Sequence, residues 1–282
     1  MNEQEKQIRQ KLKNDFVHYS SRCLKVRTKE GKIDQFVLNK AQNYIHARIE
    51  EQKRITGKVR AIVLKGRQQG CSTYVGGRFY HLTTHNFGYQ TFILTHGLDA
   101  TQNLYKMVQR FHDNCHPLVK PESDTNNSKE LIFGELDSGY KIGTAENKAV
   151  GRSSTIQLFH GSEVAFWNNA SEHAKGIMQA VPDANGTEIF LESTANGVGN
   201  YFHQMWQNAE AGLSDFIPIF VPWFWQEEYK RIVNEQFDLT DNEIEIQKLY
   251  NLTTEQIAWR RQKIIDLSLG GIDGEKAFRQ EY

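Results

Sequence analysis

A polar, glycine-bearing loop is the first stretch of this sequence whose residue types and spacing could do chemistry. Residues 59–64 (VRAIVL) are mostly apolar and rich in β-branched side chains, which predicts a buried strand. They lead into residues 65–70 (KGRQQG) and then into residues 71–75 (CSTYV), where a helix can begin. Successive loop amides and a helix N-terminus together form an anion site, so this stretch predicts phosphate binding.

The loop departs from the usual phosphate-loop pattern G-x-x-x-x-G-K-[ST]. When Gly70 is placed on the second glycine, Ser72 takes the position of the magnesium-binding hydroxyl. Lys65 then stands where the first glycine belongs, and Cys71 stands where the lysine belongs. Phosphate chemistry still needs a cation, and Arg67 is the predicted replacement because arginine is always charged and can bind two phosphate oxygens at once. The alternative is an ordinary strand–turn–helix corner with a solvated arginine.

Two further polar turns follow predicted strands. Residues 155–159 predict a strand that runs on to Ser162 and Glu163, and residues 187–191 predict another that ends in the turn ESTANG. Ligands of α/β proteins bind where parallel strands end, so Glu163 is a candidate to activate water. The aspartate that usually precedes such a glutamate and orders magnesium is replaced by Ser162, a weak holder of metal-bound water. At the second turn, the groups able to sense a γ-phosphate are Ser193, Thr194 and Asn196. Solvated turns are the alternative for both.

Alternating helices and strands must position these groups. We predict a helix over 3–19, short strands over 22–27 and 33–37, and a helix over 40–54 capped by Asn39. Gln42 lies in the first turn of that helix, where its amide could pair with the edge of adenine or simply face solvent. The remaining predictions are a strand over 90–95, a helix over 99–114, a polar loop over 121–129, short strands over 131–133 and 140–142, and helices over 201–209, 227–235, 241–250 and 254–267.

Composition excludes several classes of protein. The 282 residues suit one large domain with appendages, and 39% hydrophobic residues are enough for a substantial core. No run of about 18 apolar residues predicts a membrane span, and the charged N-terminus has no apolar segment of a secretion signal. Basic and acidic residues balance at 34 each, so any DNA contact must be local or shared among subunits.

Taken together, three motifs resemble the N-terminal ATPase domain of the large terminase subunit of tailed bacteriophages: GRQQGCST, LFHGSEVAFW and ESTANG. The resemblance covers about residues 35–282. It implies an α/β fold with a RecA-like P-loop NTPase core of the ASCE class, whose mostly parallel central sheet is flanked by helices, over residues 35–222. An N-terminal helix with short strands would occupy residues 1–34, and a small helical lid or linker would occupy residues 223–282.

The resemblance also implies roles for individual residues. Glu163 would be the general base, Arg67 would neutralise β- and γ-phosphate charge, and Ser72 would bind Mg²⁺, with Ser162 contributing weakly through water. Arg152, eleven residues before Glu163, would be an arginine finger offered to the neighbouring subunit. Ser193, Thr194 and Asn196 would couple hydrolysis to motion. The implied nucleotide-binding residues are Gln42, Gly66, Arg67, Gln68, Gln69, Gly70, Cys71, Ser72 and Thr73.

The function implied is that of an ATP hydrolase, using ATP and Mg²⁺, in a motor that moves double-stranded DNA into a procapsid. The family works as a ring, pentameric in packaging motors, with the portal protein and the small terminase subunit, in the host cytoplasm and transiently docked on the procapsid. Nuclease activity is not expected, because the family's nuclease domain has no counterpart in this sequence. Two alternatives remain: a helicase-like ATPase of the second superfamily, which would need a second RecA-like domain, and a degenerate nucleotide-binding assembly module with little turnover.

Overall fold

Helices and strands alternate through most of the molecule. The structure is a computed structural model and describes residues 2–145, 155–234 and 236–282. In chain order its elements are α1 (Glu3–Asn14), α2 (Phe16–Cys23), β1 (Lys25–Arg27), β2 (Ile33–Gln35), α3 (Lys40–Thr56), β3 (Val59–Lys65), α4 (Cys71–His85), β4 (Gln90–Thr95), α5 (Leu98–Asp113), β5 (Thr125–Asn126), β6 (Glu130–Phe133), β7 (Ser138–Thr144), β8 (Leu158–Ser162), α6 (Ala170–Ala180), β9 (Glu188–Ser193), α7 (Tyr201–Glu210), β10 (Ile217–Val221), α8 (Asp241–Tyr250), α9 (Thr254–Leu267) and α10 (Gly274–Glu281).

An eight-stranded sheet organises these elements, in the order β10-β3-β9-β8-β4-β7-β6-β5. The strands from β10 to β7 pair in parallel, whereas β6 and β5 add antiparallel pairs at one edge. The predicted mostly parallel α/β architecture is therefore confirmed. Because β9 lies between β3 and β8, the turns that follow all three strands open at the same edge of the sheet. The sheet thus brings the three sequence motifs together.

Helices cover both faces of the sheet and explain why β3 is buried on both sides. Val63 packs into a cluster with Ile45 of α3 and Phe79 of α4, while Ile62 points to the other face and packs with Ile177 of α6. Side chains alternate along a strand, so this short apolar run anchors two layers of helices at once. None of the helices in the described ranges combines the length and apolar character that crossing a membrane requires.

Several predicted boundaries are wrong, each for a local reason. The single helix predicted over 3–19 breaks at Asp15, whose carboxylate accepts a hydrogen bond from the His18 amide and caps α2. The loop predicted over 121–129 contains β5, which pairs with β6. The strands predicted over 155–159 and 187–191 lie further along the chain as β8 and β9, so that Glu163 directly follows β8. The two predicted N-terminal strands form over shorter ranges and pair with each other as the antiparallel strands β1 and β2.

The C-terminal region shows the largest difference. No helix forms over the described residues 227–234, although charge and composition predict one over 227–235. Instead the Tyr229 ring stacks on Trp259, with 4.1 Å between ring centroids, and the Arg231 amide donates to the Glu255 carbonyl. These tertiary contacts hold the segment extended along α9 and override its helical propensity. The predicted helices 241–250 and 254–267 are confirmed as α8 and α9, whereas the stretch interpreted as the start of a linker contains α10.

Candidate active site

The loop between β3 and α4 contains two residues in the left-handed conformation. Gly70 caps α4 with a left-handed φ of 77°, and Gln68 is also left-handed, with a φ of 57°. Ser72 and Thr73 lie in the first turn of α4, where helix amides have no acceptor within the helix. At the start of the loop, by contrast, the Gly66 amide donates to the Val221 carbonyl at 3.1 Å. The amides available to an anion are therefore those nearer the helix.

Gln42 is buried against this loop. Its Nε2 atom donates to the Gly70 carbonyl at 2.8 Å, and its Oε1 atom accepts from the Asn39 amide at 2.9 Å. These bonds support the loop and complete the capping box of α3. In this conformation both ends of the amide bind protein groups. Recognition of adenine by Gln42 remains a prediction, and it would require the amide to exchange at least one of these partners.

Replacing Gly70 with alanine is expected to destabilise the protein more than an alanine at a comparable open glycine. A Cβ atom at Gly70 would lie 2.7 Å from Gln42 Nε2, in addition to the strain of a left-handed φ. Gly88→Ala is the matched control, because Gly88 has a φ of 73° and open space around it. Urea unfolding should show a loss of about 1 kcal/mol for Gly88→Ala and a further loss of about 1–3 kcal/mol for Gly70→Ala. Equal losses would contradict the contact with Gln42.

Lys65 is the cation that the sequence pattern passes over. Its ammonium lies 2.9 Å from Glu163 Oε1 and 3.1 Å from Glu192 Oε2, and only 7% of its side chain is exposed. Burial lowers the pKa of Lys65, but the nearby Glu192 and Glu163 carboxylates outweigh burial and raise that pKa above its ordinary value. The ammonium therefore stays charged. The only sign of this role in the sequence is a lysine at the first-glycine position of the loop pattern. The pattern by itself marks that lysine as a mismatch.

Arg67 is placed differently from Lys65. Its side chain is 59% exposed, its guanidinium pairs with the Glu281 carboxylate, and its amide donates to the Glu281 carbonyl at 2.9 Å. In this conformation Arg67 therefore binds the end of α10. Neutralisation of phosphate charge by Arg67 remains a prediction, and Lys65 is a second and more buried candidate for the same role.

Glu163 links Lys65 to the turn that follows β9. While Oε1 accepts from Lys65, Oε2 lies 3.3 Å from both the Ser193 hydroxyl and the Thr194 amide, which donate to it. Asn196 donates to the Ala165 carbonyl at 3.0 Å, just beyond Glu163. The structure thus brings together the predicted base and all three predicted coupling residues. A movement of either turn changes the hydrogen bonds of the other.

Glu192 is a second residue that the sequence argument does not single out. Ser72 donates its hydroxyl hydrogen to Glu192 Oε1 at 2.6 Å, and the His160 Nε2 atom lies 3.3 Å from the same oxygen. Burial raises the pKa of Glu192, but Lys65 and His160 outweigh it and hold that pKa below its usual range. The carboxylate is therefore ionised. A glutamate directly after the apolar residues Ile189 to Leu191 is the signal in the sequence.

Cys71 and Ser162 are both buried in the surrounding structure. Burial raises the pKa of the Cys71 thiol to about 12, so the thiol is neutral and cannot replace the missing lysine. The Ser162 carbonyl accepts a hydrogen bond from Trp167 Nε1 at 2.9 Å. Arg152, the predicted arginine finger, lies outside the described residues.

A pocket of about 350 Å³ opens beside the loop, lined by Lys65, Arg67, Gln68, Glu163 and Thr194 together with His96 and Phe166. Most of these side chains are polar, and they include both cations and a carboxylate. The pocket is therefore suited to a charged ligand that binds cations beside an acid. It borders the predicted phosphate loop, the predicted base and the turn after β9.

Comparison with known proteins gives matches among solved structures alone. No protein-family model and no curated protein matches the chain. The large terminase of bacteriophage HK97 aligns over 95% of this chain with a TM-score of 0.68 and 13% identity, and the ATPase domain of the Thermus phage P74-26 large terminase aligns over 88% with a TM-score of 0.56 and 16% identity. The chain has the fold of a large terminase ATPase domain. The predicted RecA-like fold class is thereby confirmed.

The chain covers different shares of the lengths of these proteins. The chain spans 54% of the HK97 protein, about half its length, but 93% of the P74-26 ATPase domain. A further large terminase from a thermophilic bacteriophage, solved in complex with ADP, aligns over 77% of this chain and 51% of its own, with a TM-score of 0.51 and 8% identity. At such low identities the likeness is one of fold.

Within this fold, residues 223–229 are hydrogen-bonded to the loop between β3 and α4. Tyr229 donates its hydroxyl hydrogen to the Arg67 carbonyl at 2.9 Å, and Gln226 Nε2 donates to the Gln68 carbonyl at 2.8 Å. From the loop side, Gln69 Nε2 donates to the Trp223 carbonyl at 3.2 Å. The proposed boundary at residue 223 remains a prediction, but these bonds mean that a change in the loop reaches the C-terminal helices directly.

Proposed function

We propose that this chain is the ATPase of a phage genome-packaging motor. One observation carries the proposal: the carboxylate of Glu163 is held between a buried lysine at the phosphate loop and the Ser193–Thr194 turn, in a terminase fold. A base, a cation and a polar turn at one pocket are what ATP hydrolysis coupled to movement requires. The large terminase solved in complex with ADP, which shares the fold, supports a nucleotide as the ligand.

In the proposed reaction the phosphates of ATP lie on the amides of residues 68–73, and the γ-phosphate approaches Lys65. The phosphate would compete with Glu163 for the lysine ammonium, which frees the carboxylate to accept a proton from the attacking water. When bound, Mg²⁺ would neutralise phosphate charge, with the Ser72 hydroxyl as a ligand and Ser162 contributing weakly through water. Loss of the γ-phosphate would return Glu163 to Lys65. Ser193 and Thr194 would transmit this exchange to the rest of the chain.

The remaining parts of the proposal concern assembly. We infer that the chain acts in a homo-oligomeric ring, in which Arg152 of a neighbour supplies the arginine finger. The proposed partners are double-stranded DNA, the portal protein and the small terminase subunit, on a procapsid in the host cytoplasm. The balance of 34 basic and 34 acidic residues suits a motor that must grip DNA and release it.

ATP hydrolysis measured against protein concentration tests the function. We expect turnover per subunit to rise steeply with concentration in the presence of Mg²⁺ and double-stranded DNA, because each site is completed by its neighbour. Replacing Mg²⁺ with EDTA gives the baseline. A flat rate near zero combined with measurable ATP binding would instead favour the assembly module, to which the neutral Cys71 in the lysine position lends support. Absence of ATP binding would overturn both functions.

A helicase-like ATPase is supported less well. The solved structures named above that align over most of this chain are phage large terminases. We therefore favour the packaging ATPase.

A further inference from the structure

The sheet register offers an acid for the position that Ser162 leaves without charge. In the parallel pairing of β8 with β9, Ser162 lies directly beside Glu192. Residue 162 is where an aspartate is expected to order magnesium. A carboxylate is therefore present at the same level of the sheet, one strand closer to β3 and the phosphate loop.

The surroundings of Glu192 point towards that loop. Its Oε1 atom accepts the hydrogen bond from Ser72, the predicted magnesium-binding hydroxyl, at 2.6 Å. The carboxylate is completely buried, yet its Oε2 atom accepts no hydrogen bond from the described residues, and the Lys65 ammonium lies 3.1 Å away. A buried carboxylate bonded to a loop hydroxyl offers the hard oxygen ligand that Mg²⁺ favours, and the cation would take the place of the Lys65 ammonium at Oε2.

A purely structural role explains these features less completely. The residues that precede Glu192 in β9, Ile189 to Leu191, are apolar and buried, and an apolar side chain at 192 would continue that pattern. Burying an ionised carboxylate is costly, and the Lys65 ammonium offsets that cost here, but the ion pair alone does not account for the further bond to the loop hydroxyl of Ser72. His160 also holds Oε1, which fixes the direction of the carboxylate as a supporting residue does around a metal ligand.

We propose that Glu192 supplies the carboxylate that position 162 lacks and holds Mg²⁺ at the Ser72 hydroxyl, directly or through a bound water. This inference rests on the proposed ATPase function. The acid lies on β9, the strand that pairs with β8. In the described conformation Ser72 and Lys65 occupy the two oxygens that the cation would use.

Binding of fluorescent mant-ADP, titrated with Mg²⁺, tests the assignment without requiring turnover. For Glu192→Gln we expect the affinity measured in EDTA to stay within about twofold of wild type, while the Mg²⁺ concentration needed for half of the magnesium effect rises about tenfold or more. The double variant Glu192→Gln with Ser162→Asp should recover most of this loss, because the register places the new carboxylate beside the old position. A structural role predicts no such recovery.

Glu188→Gln is the matched control. Glu188 lies at the other end of β9, is equally buried and pairs with Arg78, far from the loop residues of the site. Its Mg²⁺ dependence should equal that of wild type. An unchanged Mg²⁺ dependence in Glu192→Gln would overturn this inference and leave the ATPase proposal standing, whereas wild-type protein that binds no nucleotide would overturn both. If Glu192→Gln does not fold, Glu192→Leu, which continues the apolar pattern of β9, decides, with an unchanged Mg²⁺ requirement again overturning the assignment.

Discussion

Replacement of Lys65 by methionine is expected to weaken ATP binding by roughly 10- to 100-fold and to lower the free energy of unfolding by about 3 kcal/mol. A charged hydrogen bond to phosphate contributes about 1.5–3 kcal/mol, which sets the size of the binding effect. The stability loss arises because Glu192, fully buried, would lose its nearby ammonium and leave an uncompensated charge, a change that costs about 3–5 kcal/mol. Fluorescent nucleotide titration and urea unfolding measure the two effects separately.

Two variants make this result specific. Lys58→Met removes a lysine just before the other end of β3, where the partners Asp183 and Asp215 are largely exposed, so its stability cost should stay below about 1 kcal/mol. Arg67→Ala tests the residue predicted from the loop pattern, which the structure places on the surface against Glu281. If Arg67→Ala abolished ATP binding while Lys65→Met preserved it, Lys65 would be a structural lysine and the original prediction would stand.

Glu163→Gln is expected to lower the rate of ATP hydrolysis by about 10²- to 10⁴-fold, the usual contribution of a general base. The amide keeps the shape of the side chain and can still accept a hydrogen bond from Lys65, so ATP binding should change by less than about threefold. Single-turnover phosphate release, measured beside nucleotide titration, separates the two. Protein stability should change little, since the Glu163 side chain is 26% exposed.

Glu130→Gln provides the comparison for this variant. Glu130 is a half-buried glutamate on β6, near the antiparallel edge of the sheet and remote from the loop pocket. Its hydrolysis rate should match wild type. A Glu163→Gln protein that hydrolyses ATP at the wild-type rate would remove Glu163 as the base, whatever the behaviour of Glu130→Gln.

The sequence predicts the parts of the fold that depend on local patterns. Residues 59–64 and 90–95 are apolar runs that end in polar turns, and both form strands at the expected places. Ser72, Glu163 and Ser193, which separate motifs single out, lie at one edge of the sheet because parallel strands carry their following turns to the same edge. The helix predicted over 227–235 is wrong because Tyr229 and Arg231 are held by partners on α9, and a local pattern contains no information about such contacts.

The parts of the site that the sequence does not reveal depend on register and burial. In the loop pattern Lys65 only occupies a glycine position. Its environment is set by the Glu163 and Glu192 carboxylates, which two neighbouring strands bring to it. Only the pairing of β9 with β8 shows that Glu192 stands beside Ser162. The pattern favours Arg67 because it lies inside the loop, whereas the direction of its side chain is set by α10. The pairing of strands cannot be predicted from any single stretch of sequence.

The backbone conformation at Glu163 lowers stability, whereas its side chain is the proposed catalytic base. With φ at 53° and ψ at 45°, this residue occupies a conformation that costs a side-chain-bearing residue about 1–2 kcal/mol and that glycine adopts freely. With respect to backbone strain alone, glycine at this position would therefore raise the melting temperature. Glycine at this position would also remove the carboxylate. A protein stabilised in this way would lose the proposed catalytic base.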